Sequence, residues 1–567
     1  MTAILEIKIK DAPTEKPKLS KVIDYDTHVK PYRFIQLISG LGSGKNYWVE
    51  NDLMPKHNVL LITSRKAKVK ERMSETGLSN CLNLNKLADD EIRRILIEDH
   101  IKYHNAICNN WQIEHYMKHV YNPKDPETFL WQFFDHIIVD EAHSLATDAT
   151  YCDAPFYVLE FIKAAYTQGK SKIIMMTATP NIIKDIVPFQ EADDYKYLDF
   201  TNDCHNILPH KIKLKSKEKA LEDLVSLYRF YKGKKWQAIY FATRTKNIKT
   251  EIIPYLVANG IPEKEIAVSF SNEDALEDFG DIIKNNKARV ETYLEDHEDL
   301  PEDIKIFIST SRNKEGINID NEYYSRDVII ESQWIDEIKQ MWGRVRTHSP
   351  ETTLIHDARQ HTRINVDLDF DYRFDLDNIQ TIQDYFDNWC GDHGVMKGNR
   401  FLNTKAHDKL ELLHEKRFPY IRYSTVEDRF LPYTGKICGE RDFYNSMDIL
   451  RDYKMDLIAE KYENIEVDSD PFGFGIPTEI IDPPTKQALF ECYITEKDYL
   501  DKPLSPAAQK DLLHYINKVL RVRQDRTHKE FMRLRSAVKK LGYTTKEKTK
   551  HTDDPLYGYY TLVKITE

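Results

Sequence analysis

Several features that assign proteins to other classes are missing from this sequence. It contains no run of eighteen consecutive apolar residues, and its start lacks the uninterrupted apolar stretch of a secretory signal. Its seven cysteines are scattered without a CxxC pair, so they indicate neither a zinc site nor a disulfide framework. These absences argue against a membrane-spanning helix and a disulfide-stapled secreted domain. They predict a soluble cytoplasmic protein with no membrane partner.

A positive net charge is missing as well. The formal net charge of −11 argues against a protein that coats nucleic acid over its whole surface. Positive charge is instead local, because residues 518–550 contain twelve lysines or arginines and only three acids. The sequence therefore predicts a small basic α/β module at residues 506–567.

The pattern within this basic module fits two structures. Residues 521–551 carry apolar side chains at helical spacing, at Phe531, Leu534, Val538 and Leu541. A strand-like segment follows at residues 559–565. Together they indicate either a winged-helix-like unit that grips duplex phosphates or a helical bundle with a solvated basic face. The sequence favours neither alternative.

Length and composition predict several globular domains of the α/β class. A chain of 567 residues, 41% of them hydrophobic, is long enough for three or four domains with their own cores. Short apolar segments alternate with helical patterns, such as residues 88–104 and 154–166, as expected for buried parallel strands. Strands are predicted at residues 33–38, 58–63, 136–140, 172–177, 236–243, 265–270, 304–310 and 327–332.

This alternation ends near residue 380 and has one polar break at residues 190–210, which is the predicted link between two tandem lobes. Each lobe is expected to hold a parallel sheet, and a mainly α-helical region should follow. The predicted boundaries are a lead-in at 1–30, a first lobe at 31–205, a second lobe at 206–378, an accessory region at 379–505 and the basic module at 506–567.

Seven short segments stand in a fixed order along the two predicted lobes. They are SGLGSGKN (39–46), LLITSR (60–65), DEAH (140–143), TATP (177–180), IYFATR (239–244), STSRNKEGINI (309–319) and QMWGRVR (340–346). The first is a glycine-rich turn that directly follows an apolar strand, the context that a phosphate-binding loop requires. Because predicted strands end at these segments, the chemistry is expected at the carboxyl edge of each sheet.

The first lobe is expected to bind ATP and Mg²⁺. Loop glycines let backbone N–H groups face phosphate oxygens, and Lys45 supplies a mobile positive charge. Asp140 would hold the metal ion, and Glu141 would position and deprotonate the attacking water. The predicted nucleotide-binding residues of the loop are Gly40, Gly42, Ser43, Gly44, Lys45 and Asn46.

One residue departs from the phosphate-loop pattern. Position 46 is asparagine, where the pattern has a serine or threonine whose hydroxyl ligates magnesium. Either the amide oxygen of Asn46 replaces that hydroxyl as a neutral metal ligand, or the lobe binds nucleotide and hydrolyses it weakly. The intact Glu141 favours retained activity.

The second lobe is expected to complete the site. Arg344 and Arg346 are alternative arginine fingers that stabilise charge on the γ-phosphate, and the sequence does not decide between them. Gln340 would contact the phosphate or the water. Gly316, with Asn318, would let the loop after the predicted strand at residues 304–310 approach the nucleotide.

The first 350 or so residues resemble superfamily 2 helicases of the DExH/DEAH type. The GRVR form of the last motif is similar to that of herpesvirus origin-binding helicases and of phage and plasmid replication helicases. This resemblance implies two RecA-like lobes with nucleic acid running across both. The residues it implies as nucleic-acid contacts are Thr63, Ser64, Arg65, Thr243, Arg244 and Thr310. The residues expected to couple hydrolysis to lobe movement are His143, Thr177 and Thr179.

The function expected from motifs and resemblance is that of an ATP-dependent helicase acting on DNA in replication or repair, in a bacterial cytoplasm or that of a phage host. Nucleic acid, DNA rather than RNA, and replication proteins are the expected partners. Two alternatives stay open. One is a duplex translocase that does not separate strands, and the other is an ATP-gated nucleic-acid clamp with weak hydrolysis.

Overall fold

The fold is that of a computed structural model, which describes a defined part of the chain. The described residues are 16–64, 81–86, 105–180, 183, 186–207, 209, 211–270, 276–277, 279–310, 318–320, 324–346, 351–355, 421–427, 429–463, 472, 478–480, 486–518, 530–547 and 559–565. The helix predicted at residues 88–104 lies outside them, as do Arg65 and Gly316.

The strands are β1 (Phe34–Ile38), β2 (Val59–Thr63), β3 (Cys81–Asn83), β4 (Asn105–Asn109), β5 (His136–Val139), β6 (Lys172–Thr177), β7 (Tyr195–Asp199), β8 (Lys211–Lys215), β9 (Trp236–Phe241), β10 (Ile266–Ser269), β11 (Ile306–Ser309), β12 (Ser325–Ile330), β13 (Glu351–Ile355), β14 (Ile421–Ser424), β15 (Arg429–Pro432), β16 (Thr478–Ile480), β17 (Pro503–Leu504), β18 (Tyr543–Glu547) and β19 (Tyr560–Lys564). All eight strands predicted from apolar segments are confirmed.

The α-helices are α1 (Lys45–Trp48), α2 (Asn110–His119), α3 (Ser144–Thr147), α4 (Ala154–Gln168), α5 (Lys217–Phe230), α6 (Thr245–Asn247), α7 (Ile253–Ala258), α8 (Asp281–His297), α9 (Ile335–Trp342), α10 (Thr434–Glu463), α11 (Lys486–Glu496), α12 (Pro506–Lys518) and α13 (Glu530–Lys539). Wider π turns at Val49–Leu53 and Ile248–Ile252 extend α1 and join α6 to α7. The helix predicted at residues 154–166 is confirmed as α4.

The first lobe is built on a parallel sheet with the strand order β3-β4-β2-β5-β6-β1-β7. In β1, Phe34 packs into one buried cluster while its neighbour Ile35 packs into another on the opposite face. Successive side chains of a strand point to opposite faces, so a strand covered on both sides must be apolar throughout. The register pairs Ile38, at the end of β1, with Thr177, at the end of β6. The carboxyl ends of the strands therefore meet at one edge.

The second lobe repeats this arrangement with the order β10-β11-β9-β12-β13-β8-β16. Along β9, Ala238 and Tyr240 belong to one cluster, whereas Ile239 and Phe241 belong to the other. The last strand, β16, lies within the predicted accessory region 379–505 and nevertheless pairs in parallel with β8. The chain therefore returns to the second lobe after residue 420.

The link predicted at residues 190–210 is wrong in part, because β7 lies inside it and joins the first sheet next to β1. As the edge strand of the sheet it has a neighbour on one side only, and Tyr197 is 41% exposed. An edge strand that faces solvent needs no continuous apolar run, which is the pattern used to locate the other strands. The segment between β7 and β8, residues 200–210, therefore replaces the predicted range as the first link between the two sheets.

The C-terminal unit combines helices α11, α12 and α13 with an antiparallel sheet of order β17-β19-β18. Its buried cluster runs from Phe490 through Leu512 and Val538 to Leu562. Helix, strand, two helices and two strands follow one another as in a winged-helix domain. In the part of this unit that the structure describes, the topology is therefore winged-helix-like and not that of a helical bundle, and a grip on duplex phosphates stays a prediction. Its core includes Phe490, ahead of the division predicted at residue 506.

Among the residues that the structure describes, no helix is long and apolar enough to cross a membrane.

Candidate nucleotide site between the lobes

The glycine-rich loop leaves the carboxyl end of β1 and leads directly into α1. Gly42 and Gly44 have φ angles of 68° and 87°, a left-handed backbone that glycine adopts without steric cost. The loop is fastened to the sheet because the Ser39 N–H donates to the Thr177 carbonyl at 3.2 Å. Within the loop, the Ser39 and Ser43 hydroxyls hydrogen-bond at 2.8 Å.

The loop groups predicted to bind phosphate make contacts within the chain itself. The ammonium group of Lys45 lies 3.4 Å from the Ser39 carbonyl and 3.3 Å from the Gly40 carbonyl. The Leu41 N–H donates to Oδ1 of Asn206 at 2.8 Å. A Cβ atom added at Gly40 would lie 2.6 Å from Cγ of Asn206. The segment between the lobes thus packs closely against the loop.

Sequence reasoning missed Asn206 as part of the site. It stands in a polar connecting segment, 165 residues from Leu41, and no local pattern distinguishes it from other linker residues. Only the fold brings the two together.

The two acids of the DEAH segment lie at the end of β5 and are both buried. Glu141 has a φ angle of 52°, which is rare for a residue with a side chain. Such a conformation costs on the order of 1 kcal/mol and persists only where the surrounding structure enforces it. Here the Ala142 N–H donates to the Met176 carbonyl at 2.8 Å and holds the turn. Asp140 directly follows β5 and is 1% exposed.

The three predicted coupling residues form one hydrogen-bonded chain. Nδ1 of His143 lies 3.2 Å from the Thr177 hydroxyl and 3.6 Å from Oε2 of Glu141. The Thr177 hydroxyl accepts a hydrogen bond from the Thr179 N–H at 3.0 Å. The segment after β6 is therefore connected to Glu141 through His143.

The second lobe closes this chain through helix α9. Gln340, in α9, has its Nε2 atom 3.5 Å from the Thr179 hydroxyl. Nη2 of Arg344 lies 3.3 Å from Oε1 of Glu141 and 3.3 Å from Oε1 of Gln340. A ring of polar side chains thus runs from Glu141 through both lobes and returns to Glu141.

The structure distinguishes the two candidate arginine fingers. Arg344 is 7% exposed and faces the acid of the first lobe. Arg346 is exposed, and its backbone N–H donates to the Ile319 carbonyl at 3.0 Å. Asn318 donates to a carboxylate oxygen of Glu298 at 2.8 Å, within the second lobe. This geometry favours Arg344 as the residue that reaches the first lobe.

The predicted nucleic-acid contacts lie at strand ends but differ in exposure. Thr63, the last residue of β2, is buried, and its hydroxyl donates to the Cys108 carbonyl. Ser64, after β2, and Thr310, after β11, are buried as well. Thr243 and Arg244, after β9, are exposed. Their contacts with nucleic acid stay predictions.

The residues present fit a magnesium–triphosphate group. The loop supplies backbone N–H groups, a close approach that glycines permit, and the Lys45 ammonium group. The buried carboxylate of Asp140 is a hard oxygen donor of the kind that Mg²⁺ prefers, and Asn46, in the first turn of α1, adds an amide oxygen. The arrangement is suited to binding a triphosphate at the edge where both lobes meet.

Comparisons with known proteins return distant structural matches. No protein-family model matches the sequence, and no curated protein matches it either. A structure of the helicase Lhr from Mycobacterium smegmatis, bound to single-stranded DNA and AMP-PNP, aligns with 60% of this chain at 13% identity and a TM-score of 0.40, and the match covers 46% of the Lhr chain. Dbp5 from S. cerevisiae, bound to RNA and ADP BeF3, aligns with 58% of this chain at 12% identity and a TM-score of 0.39, with 81% of Dbp5 covered.

The DUF1998 helicase MrfA, bound to DNA and AMPPNP, aligns with 70% of this chain at 14% identity and a TM-score of 0.40, with 57% of MrfA covered. All three matches have TM-scores below 0.5 and identities below 15%. The assignment of two tandem RecA-like lobes rests on the two parallel sheets of this chain, each with its strand ends at the shared site.

Proposed function

We propose that this chain is an ATP-dependent nucleic-acid helicase or translocase of the superfamily 2 DEAH type, acting on DNA in replication or repair. The observation that carries the proposal is the contact between Arg344 of the second lobe and Glu141 of the first, at 3.3 Å. A site that draws its catalytic acid and its arginine from different lobes turns over only when the lobes are aligned. Hydrolysis in such a site is therefore linked to lobe movement.

The roles of the residues follow from their chemistry. Lys45 and the loop N–H groups hold the β- and γ-phosphates, and Asp140 would hold Mg²⁺, which would neutralise phosphate charge when bound. Glu141 orients the attacking water and accepts its proton. Arg344 stabilises the charge that develops on the γ-phosphate, and Gln340 fixes the position of the Arg344 guanidinium.

The winged-helix unit supports DNA as the substrate. Among the side chains that the structure describes, four basic ones are exposed along α13, the turn after it and β18, namely Arg535, Lys539, Lys540 and Lys546. Winged helices commonly place their third helix against duplex DNA, and phosphate contacts from lysine and arginine give affinity without sequence information. We therefore expect this unit to hold duplex DNA while the lobes move along one strand.

The test is ATP hydrolysis by the purified chain without nucleic acid and with single-stranded DNA, duplex DNA or RNA. Stimulation by a polymer that disappears in Glu141→Gln supports a motor, and a strand-displacement assay with a fluorescent duplex separates a helicase from a duplex translocase. Hydrolysis that no polymer stimulates, or that survives in Glu141→Gln, would contradict the proposal.

The alternative of an ATP-gated clamp rests on Asn46. It predicts ATP-dependent binding of DNA with negligible turnover, and the same assay combined with a DNA-binding titration recognises it. An Asn46→Thr variant, which restores the hydroxyl of the phosphate-loop pattern, should then gain hydrolysis.

A further inference from the structure

Helix α10 is a single helix of 30 residues. It contacts both the first lobe and the second. At 1.5 Å per residue it spans about 45 Å. The chain before it, the hairpin of β14 and β15, lies on the first lobe. The chain after it returns to the second lobe as β16.

The N-terminal part of α10 is anchored on the first lobe by polar and apolar contacts. The Tyr433 hydroxyl donates to the Cys152 carbonyl at 2.7 Å, and the Lys436 ammonium group donates to the Thr150 carbonyl at 2.9 Å. In the preceding hairpin, Arg422 pairs with Asp153 at 2.7 Å. This end of α10 therefore belongs structurally to the first lobe.

Two glycines bring α10 into backbone contact with α3, the helix that directly follows Glu141. A Cβ atom added at Gly435 would lie 2.3 Å from the Leu145 carbonyl oxygen. One added at Gly439 would lie 2.3 Å from the Ala146 carbonyl oxygen. Any side chain at either position must push α10 and α3 apart, because such short distances do not occur in folded proteins.

One turn further, α10 holds the helix of the second lobe that leads to Arg344. Oδ2 of Asp442 accepts a hydrogen bond from Nε1 of Trp334 at 2.5 Å, and the Phe443 ring packs against the Trp334 ring at a centroid distance of 5.7 Å. Trp334 is the N-cap residue of α9, which carries Gln340. Farther along, Leu450 joins the buried core of the second lobe.

Electrostatics connect the same point to the first lobe. Burial raises the pKa of Asp336, in the first turn of α9, while the charges of Lys339 and His143 oppose that rise. Burial and the charge of Asp336 raise the pKa of Asp442 to about 6, against the Trp334 hydrogen bond and the positive charges of Arg441 and Lys339. His143 of the first lobe thus lies near the two acids that α9 and α10 bring together.

We propose that α10 is an interlobe tie that positions Glu141 against Arg344, with Gly439, Trp334 and Asp442 as positioning residues for hydrolysis. The inference rests on the proposed ATPase activity. It adds that the alignment of Glu141 with Arg344 depends on α10, a helix that lies outside both of the lobe ranges predicted from the sequence. The chain continues from α10 to the winged-helix unit. A movement of that unit could therefore be transmitted to the site through α10.

The first test compares kcat and KM for ATP in Gly439→Ala and Trp334→Phe with the wild type. Displacement of catalytic groups by about 1 Å can cost about a hundredfold in rate. We therefore expect kcat to fall between about tenfold and a hundredfold, with KM changed less than about threefold because the phosphate loop is untouched. The conservative variant Asp442→Asn keeps an acceptor for Trp334 and should retain most of kcat, whereas Asp442→Ala should not.

The matched control is Ile449→Ala, on the same helix but 45% exposed, which should leave kcat unchanged. A second measurement, hydrogen–deuterium exchange of the Ser144–Thr147 and Ile335–Trp342 amides, does not depend on activity. Faster exchange at both segments in Gly439→Ala, with unchanged exchange in the β1–β6 strands, supports the tie and shows that the variant folds.

If the wild type hydrolyses ATP and the folded Gly439→Ala variant keeps the same kcat, the tie is overturned and the proposed function is left intact. If the wild type does not hydrolyse ATP, the proposed function is contradicted. Hydrogen–deuterium exchange then tests the tie by itself. Unchanged exchange at α3 and α9 in Gly439→Ala would overturn it in that case.

Discussion

The sharpest prediction concerns which arginine serves the catalytic site. Arg344 lies 3.3 Å from Glu141, with both side chains 9% exposed, whereas Arg346 is exposed to solvent. In such a water-poor site a positive charge aimed at the γ-phosphate contributes about 10³ or more in rate, or about 4 kcal/mol. Arg344→Ala should therefore lower kcat by about a thousandfold, and Arg346→Ala by less than about tenfold.

The structural cost of Arg344→Ala should be modest by comparison. Removing one partner of a well-formed buried ion pair typically costs 3–5 kcal/mol, but here the contact is long and Glu141 keeps His143 at 3.6 Å. We expect a loss of about 1–2 kcal/mol in stability, small enough for a folded and assayable variant. Arg344→Lys keeps the charge but loses the planar fork, so its kcat should lie between those of the wild type and Arg344→Ala.

The assay is steady-state ATP hydrolysis at saturating stimulating polymer, with thermal unfolding of each variant as the control for folding. Equal losses in Arg344→Ala and Arg346→Ala would contradict the assignment of one finger. Loss in Arg346→Ala alone would show that the contact between Arg344 and Glu141 is structural.

Three further predictions use other parts of the site. Asn206→Ala frees the Leu41 N–H for a phosphate oxygen and should lower KM for ATP by about two- to tenfold, as the loss of one competing hydrogen bond; an unchanged or higher KM would show that Asn206 does not compete with phosphate. Asn46→Ala should raise the Mg²⁺ concentration needed for half-maximal hydrolysis if the amide is a ligand, and leave it unchanged if not. The folded-state pKa of Asp442 is raised to about 6, so the folded protein loses stability as pH rises from about 4 through 6 and this carboxyl group ionises. Asp442→Asn removes that ionisation. The variant should therefore be about 1–3 kcal/mol more stable than the wild type at pH 7.5 and no more stable at pH 4. Unfolding by urea at the two pH values checks this, and an equal effect at both would contradict the sign.

The strands that carry the chemistry could be located from the sequence because their burial on both faces leaves a continuous apolar run. β1, β5 and β6 are buried almost throughout, and each ends at a polar motif. Strands under other constraints escaped the same criterion. β4 contains Asn105, whose side chain accepts a hydrogen bond from the Val59 N–H, and β7 lies at the edge of its sheet.

Contacts between distant segments explain the rest of what was missed. The motif QMWGRVR identifies two arginines, but only the fold shows that Arg344 faces Glu141, 203 residues away. The spacing of Gly435 and Gly439 is a small-residue pattern that can be noticed in the sequence. The helix that this pattern contacts cannot be identified from the sequence, because α3 is four residues long and has no apolar periodicity to distinguish it.

The contacts at the site also bear on selectivity for ATP over ADP. Lys45 and the Leu41 N–H are held by groups beside the phosphate loop, and either diphosphate or triphosphate can exchange with those partners. Arg344 comes from the other lobe and is held by Glu141, so only a γ-phosphate lying between the two can replace that contact. ADP should therefore bind through the first lobe alone. We expect Arg344→Ala to weaken binding of a nonhydrolysable ATP analogue while leaving ADP affinity unchanged. Equal weakening of both would mean that Arg344 does not contact the γ-phosphate.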